Sequence, residues 1–191
     1  VQGTGATTLN IVAADEGTVA GDVRGENSVD LQTDRALATE VASGANSTIV
    51  GGVNNTAGGN SSFACGNSNT VVSPRGAVVG GISNNISSTG LNNATLGGNS
   101  NIISGTKAHA AILGGSNNEV SGTGSVALGG GNNTSTAGER ALVAGRYADD
   151  GGFNGARVFA DNSLTPITAL QLREFAIQAS ALRLVDGNEG A

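Results

Sequence analysis

A glycine pair recurs through the middle of this chain and limits what the chain can fold into. The second residue of each pair falls at Gly52, Gly66, Gly81, Gly98, Gly115, Gly130 and Gly145, at spacings of 14, 15, 17, 17, 15 and 15 residues. Cys65 and Ala144 stand where the other units have the first glycine. Three residues after the anchor comes asparagine in six units: Asn55, Asn69, Asn84, Asn101, Asn118 and Asn133, with Ala148 in the seventh. Two before it stands Val50, Ala64, Val79, Leu96, Leu113, Leu128 or Val143, and four before it Thr48, Ser62, Ala77, Ala94, Ala111, Val126 or Ala141. Five after it come Ala57, Val71, Ile86, Ile103 and Val120, replaced by Ser135 and Asp150 in the last two units. No helical period places Gly pairs and Asn so regularly, and self-similarity at a short fixed period marks stacked repeats.

Positions four and two before the anchor share one face of a strand, because strand side chains alternate. Val50, Val79, Leu96, Leu113, Leu128 and Val143 are accordingly expected to form the inward column of the repeat. Each glycine pair then turns the chain, and Asn, tolerant of left-handed dihedrals, shapes the bend after it. A second short strand carries the apolar residue at plus five. Ser104-Gly105 and Ser121-Gly122 are examples of the turn that closes the unit. Two strands and two tight turns per unit predict one coil of a β-roll or β-solenoid, with coils of 14–17 residues and a rise of about 4.8 Å per coil.

Composition agrees with a thin interior. Of 191 residues 32 are Gly, aromatics make up 3%, and Met and Trp are absent. Large side chains that fill an ordinary core are nearly missing, so Val, Ile, Leu and Ala must fill a narrow one. Abundant Gly, Ser and Asn is also the composition of disordered chains. That reading is kept for the first 20 residues, whereas the fixed apolar period opposes it elsewhere.

The position three before the anchor, on the opposite face, is also largely apolar: Ile49, Phe63, Val78, Ile112 and Leu142, with Thr95 and Ala127 between. Strands buried on both faces read as continuous apolar runs. The rest of the chain has too few apolar residues to cover a second face. Self-association along the rod, as a threefold bundle, is the expected answer.

The segments Ser125-Val126-Ala127-Leu128-Gly129-Gly130 and Ala111-Ile112-Leu113-Gly114-Gly115 resemble the repeat of the YadA-like head of trimeric autotransporter adhesins. With their Gly-Gly, Asn and Ser-Gly turns they look closer to the head-like repeats of bacteriophage tail fibres and virion spikes. The lead-in from Arg24 to Arg35, and Val41-Ala42-Ser43-Gly44, resemble the segment before those repeats. The resemblance spans about residues 24 to 148, and no basic neck segment like that of the autotransporters is recognisable. It implies a left-handed parallel β-roll trimer on a virion or bacterial surface. Its implied partners are copies of itself, other virion fibre proteins and a host glycan or protein receptor. The expected function is a non-enzymatic fibre or spike segment, rigid spacer and receptor-binding head in one. The alternatives are the head of a bacterial trimeric adhesin and a non-catalytic part of a glycan-degrading tailspike.

Charge marks the boundaries. Between Val41 and Gly138 the only ionisable groups are Cys65, Arg75, Lys107, His109 and Glu119. The roll is therefore placed at 41–148, a lead-in at 1–40 and a C-terminal piece at 149–191. In the lead-in, Asp34 and Arg35 read as a solvated pair. For the C-terminal piece, Pro166 at a first turn and the stripe Ile167, Leu170, Gln171, Phe175, Ala179 and Leu182 predict a helix. The alternation of Phe175, Ile177, Ala179 and Ala181 is the strand alternative. The chain begins at Val1, which reads as a processed or cloned fragment.

Little in the sequence points to chemistry. The formal net charge is −6, and eight scattered Arg with one Lys lack the clustering that nucleic acid or anionic membranes require. No run of 18 apolar residues exists to span a bilayer. Cys65 is single, no Cys/His cluster suits a metal, and no cofactor is expected. His109 has no partner nearby in sequence for a triad. Asp149, Asp150 and Asp161 are candidates for a glycosidase pair or calcium ligands, but adjacent Asp residues on an extended backbone point to opposite sides. Receptor contacts are expected in the expanded loops, at Ser88, Thr89, Asn92, Lys107 and His109. An ice-binding face would need a regular Thr array, and Thr48, Thr56, Thr70 and Thr95 are irregular.

Overall fold

The structure is a computed structural model that describes residues 23–161 and 165–179 apart from 107 and 137. It is an all-β, parallel solenoid of about ten turns, and among the described residues there is no helix. In chain order the strands are β1 (Val29–Asp30), β2 (Thr48–Ile49), β3 (Thr56–Ala57), β4 (Phe63–Ala64), β5 (Thr70–Val71), β6 (Ala77–Val78), β7 (Asn85–Ile86), β8 (Ala94–Thr95) and β9 (Ile102–Ile103). They continue as β10 (Ala111–Ile112), β11 (Glu119–Val120), β12 (Val126–Gly131), β13 (Thr134–Ser135), β14 (Leu142–Arg146), β15 (Ala148–Asp149), β16 (Arg157–Phe159), β17 (Ile167–Thr168) and β18 (Phe175–Ile177). From β2 on, successive strands alternate between two sheets. One has ten strands in the order β1-β2-β4-β6-β8-β10-β12-β14-β16-β18, the other eight from β3 to β17. Isolated parallel bridges from Asp34 through Val53, Asn67, Ile82, Asn99 and Ser116 to Gly131 form a third line along the corner after the first sheet.

The inward column of the first sheet is Asp30, Ile49, Ala64, Val78, Thr95, Ile112, Ala127, Val143 and Val158, all buried. That of the second is Ala57, Val71, Ile86, Ile103, Val120 and Ser135, also buried, which agrees with the reading of the plus-five position. The first sheet corrects its reading. Val50, Val79, Leu96, Leu113 and Leu128, expected inside, are 45–54% exposed, and only Val143 of that set is buried. The inward residue is the one before, and a shift of one residue exchanges the two faces of a strand. Val143 and Ala64 escape the shift because their units are one residue shorter. Gly130 pairs with Gly145 while Ala127 pairs with Val143, across a register irregularity. Cys65 and Ala144 therefore lie on the outer column rather than in place of a glycine. Ala, Val and Ile fill the narrow space inside, and the longer Leu side chains are left outside.

The asparagines correct a second expectation. Asn55, Asn69, Asn84, Asn101, Asn118 and Asn133 are not bend residues but fully buried ones. The left-handed residue is the one before each: Asn54, Ser68, Ser83, Ser100, Asn117 and Asn132, with φ between 53° and 56°. The buried amides stack as a ladder. Each Oδ1 accepts the backbone N–H of its counterpart one coil on, as Asn84 Oδ1 does from Asn101 at 3.1 Å and Asn101 Oδ1 from Asn118 at 3.1 Å. Each Nδ2 donates to the carbonyl four residues back and to a glycine of the next coil, as Asn101 does to Gly97 at 3.0 Å and Gly115 at 3.1 Å. Such satisfaction is what lets a polar group sit in a core. The second glycine of each pair is explained by the same corner. At Gly98, with φ +89°, a Cβ would lie 2.1 Å from the Gly115 carbonyl oxygen, so no side chain fits.

The described part of the lead-in, residues 23–40, runs into the solenoid. The first strand, β1, pairs with β2. Gln32 takes the place of the first ladder asparagine: its Oε1 accepts from Asn55 N–H at 2.8 Å. Asp30, in the inward column, is ion-paired with Arg24 (3.3 Å) and Arg35 (3.6 Å), so Arg35, expected to be solvated, is buried. Asp30, Gln32 and Arg35 thus make the first described coil polar inside. In the C-terminal piece, Ile167–Thr168 and Phe175–Ile177 are strand where a helix was expected. Arg157, Val158 and Phe159 of β16 pair with Phe175, Ala176 and Ile177 of β18. Hydrogen bonds offered by the exposed edge of the last coil outweigh the helix propensity of Leu, Gln and Glu. Ala181 and Leu182 lie outside the described residues.

Candidate functional site

The largest chemical anomaly is on the outside of the ten-stranded sheet. Its outer residues form two parallel columns. One runs Val29, Thr48, Phe63, Ala77, Ala94, Ala111, Val126, Leu142, Arg157 and Phe175, each paired with the next in strand register. The other, two residues further along each strand, runs Leu31, Val50, Cys65, Val79, Leu96, Leu113, Leu128, Ala144, Phe159 and Ile177. The face is apolar apart from Thr48 towards one end and Arg157, its single charge, towards the other. Val50, Val79, Leu96, Leu113 and Leu128 each leave about half their surface open. At about 4.8 Å per strand, ten strands give a stripe about 43 Å long. Contiguous exposed apolar surface on this scale marks an interaction surface. Within it the Cys65 thiol donates to the Val79 carbonyl at 2.8 Å, and burial pushes its pKa up. Phe159 and Phe175 meet edge to face, 5.7 Å between centroids.

The expected receptor residues are divided by the structure. Ser88 is fully buried and its Oγ accepts from Gly90 N–H at 3.1 Å; it is a turn residue unable to meet a receptor. The loop has to turn back onto the coil, and the hydroxyl supplies the acceptor. Thr89, Asn92 and His109 are exposed. Asn92 and His109 occupy the same place in successive coils, both with φ of 61°, and Asn92 Nδ2 lies 3.3 Å from His109 Nε2. Lys107 lies outside the described residues.

That shared place defines an edge of the molecule. Two residues before each strand of the first sheet from β4 on, the chain passes through a left-handed residue: Ser61, Arg75, Asn92, His109, Gly124, Arg140, Gly155 and Arg173. Each donates its N–H to the preceding coil, as Arg140 does to Thr123 at 2.8 Å and Arg173 to Asn154 at 2.9 Å. At the C-terminal end of this edge a cleft of about 310 Å³ is lined by Glu139, Arg140, Asn154, Gly155, Arg157 and Arg173. Sequence reasoning dispersed these arginines because it lacked the exact coil register.

A larger cleft, about 550 Å³, lies on the bridge corner between Ser116, Gly130, Gly131, Asn132, Gly145, Arg146, Ala160 and Asp161. The Arg146 guanidinium sits 5.1 Å from the centre of the Tyr147 ring beside it. Compared with protein families, curated proteins and solved structures, the chain finds no match.

The acidic candidates separate. Asp150 points inward, fully buried, and accepts from Ser135 Oγ at 2.7 Å and Gly152 N–H at 2.9 Å. Asp149 points outward and accepts from Gly151 N–H at 2.8 Å. The two carboxylates therefore do not face one cleft, as alternation along the strand requires. Among the described residues no group of three or more His, Cys, Asp or Glu is placed to hold a metal, and no helix is long and apolar enough to cross a membrane.

Proposed function

We propose that this chain is a non-enzymatic, adhesive segment of a virion fibre or spike, working as a homotrimer of left-handed β-rolls with coils of 14–17 residues. The observation that carries the reading is the long, largely apolar outer face of the ten-stranded sheet. A solenoid whose interior is already filled has no use of its own for two outer columns of Val, Leu, Ile and Phe. Copies of the same rod supply the matching surface, because identical coils offer identical spacing. The likeness of the Ser125–Gly130 segment to YadA-like head repeats supports three chains and a left-handed hand. A stiff rod with a dry internal seam suits a spacer that carries receptor contacts on its outer edges.

Light scattering on the intact chain tests the reading. A species of about three times 18.5 kDa that survives dilution is expected. A folded monomer would refute it, since the apolar stripe would then face water.

A further inference from the structure

We infer that the cleft at the C-terminal end of the turn edge binds the oxyanions of an acidic surface glycan, through Arg140 and Arg173 with Arg157 beside them. This deepens the adhesive reading and rests on it for its biological setting.

The three arginines are 17 and 16 residues apart in sequence, which the coil period converts into proximity. Arg140 and Arg173 hold the same left-handed position two coils apart, about 9.6 Å along the rod. Between them the edge is glycine: Gly155 donates its N–H to Glu139 at 2.7 Å and carries no side chain. A Cβ at Gly155 would come 3.3 Å from Arg173 Cγ, so the Arg173 stem lies across the bare backbone. Arg157 enters from the strand that follows Gly155 and donates one guanidinium N–H to the Gly155 carbonyl at 3.3 Å, leaving further donors.

The charges in the cleft do not cancel. Among the described residues no carboxylate pairs with any of the three. Glu139 lines the cleft as its one acid. Glu174, adjacent to Arg173 in sequence, turns its carboxylate to the N–H groups of Leu170 and Gln171 at 2.6 and 3.1 Å. Three arginines line one cleft in a protein whose net charge is −6. Their planar donor forks match carboxylate and sulfate geometry, and a cleft focuses their field. Arg157 is also the one charge on the apolar stripe, at its border with this edge. An anion at the rim gives that charge a partner.

The test measures binding of the intact chain to three probes: an oligogalacturonide carrying carboxylates, a heparin-derived octasaccharide carrying sulfates, and neutral dextran. Arg140→Gln with Arg173→Gln is compared with Arg75→Gln, on the same edge but nearer the N-terminus. Expected are binding to at least one acidic probe and none to dextran. The double variant and a tenfold rise in salt should each weaken it tenfold or more, and Arg75→Gln should change it less than twofold. Which acidic probe binds distinguishes a carboxylated from a sulfated glycan. Wild-type binding no tighter than to dextran, or a double variant that binds like wild type, overturns the inference. The mass is measured alongside. A trimer without glycan binding defeats this site alone, and glycan binding by a monomer defeats the assembly reading alone.

Discussion

Replacing Asn101 by alanine removes one rung of the buried amide ladder from the middle of the rod. Its Oδ1 is the acceptor for Asn118 N–H at 3.1 Å, and its Nδ2 donates to the Gly97 carbonyl at 3.0 Å. The other groups it touches keep partners. The Gly115 carbonyl still accepts from Asn99 N–H, and Asn118 Nδ2 still donates to Gly114. Two backbone groups are thus orphaned, one in the same coil and one in the next, at about 1–3 kcal/mol each, so the variant should lose about 2–6 kcal/mol. For a chain of this size that corresponds to a fall in Tm of about 4–24 °C. Asn99 makes a clean comparison, two residues away on the exposed bridge corner, and Asn99→Ala should stay within about 0.5 kcal/mol of wild type. Denaturant unfolding followed by circular dichroism measures both. If Asn101→Ala were no less stable than Asn99→Ala, the ladder would not be what holds the coils in register.

Other consequences follow from the two faces of the first sheet. Leu113→Asp should leave the fold intact, because Leu113 is 46% exposed, yet it should break the oligomer to a monomer in light scattering. Ile112→Ala, one residue earlier and fully buried, should instead cost about 2–5 kcal/mol in unfolding experiments. Thr95 sits in the inward column with its hydroxyl buried and without a hydrogen-bond partner. Thr95→Val should therefore raise stability, by about 1 kcal/mol, and an equal loss would show that the hydroxyl has a partner. Because burial raises the Cys65 pKa, its thiolate fraction at pH 8 is smaller than that of a free thiol. Maleimide labelling should be slower than for a free thiol and should gain on it as pH rises; a faster reaction would contradict the burial.

Much of the architecture was legible because the second glycine and the asparagine of the repeat meet steric and hydrogen-bonding needs of the corner. Gly98 has no room for a side chain, and Asn101 meets needs that only an amide can meet, both as donor and as acceptor. The face of the first sheet was not legible in the same way. Its strands are mostly two residues long, so alternation gives almost no statistics, and both faces are apolar. Counting from glycine also misled, since the units of Gly66 and Gly145 are one residue short. The sizes of the side chains held the missing signal: Leu96, Leu113 and Leu128 share one column, and Val78, Ile112 and Ala127 the other. The helix expected after Pro166 failed for another reason. Local propensity knows nothing of the open hydrogen-bonding edge that β16 offers to β18. Of the receptor residues, Thr89, Asn92 and His109 were readable as exposed, whereas the burial of Ser88 depends on how its loop closes.

The amide ladder has a direction. Each asparagine presents its oxygen to the coil that follows and waits for nothing from the coil that precedes beyond the same gift, from Gln32 at the start to the N–H of Ala148 at the end. A coil once formed is therefore a template for its neighbour. Whole coils become interchangeable parts, and the length of the rod becomes a quantity that duplication or deletion can adjust without redesigning either end.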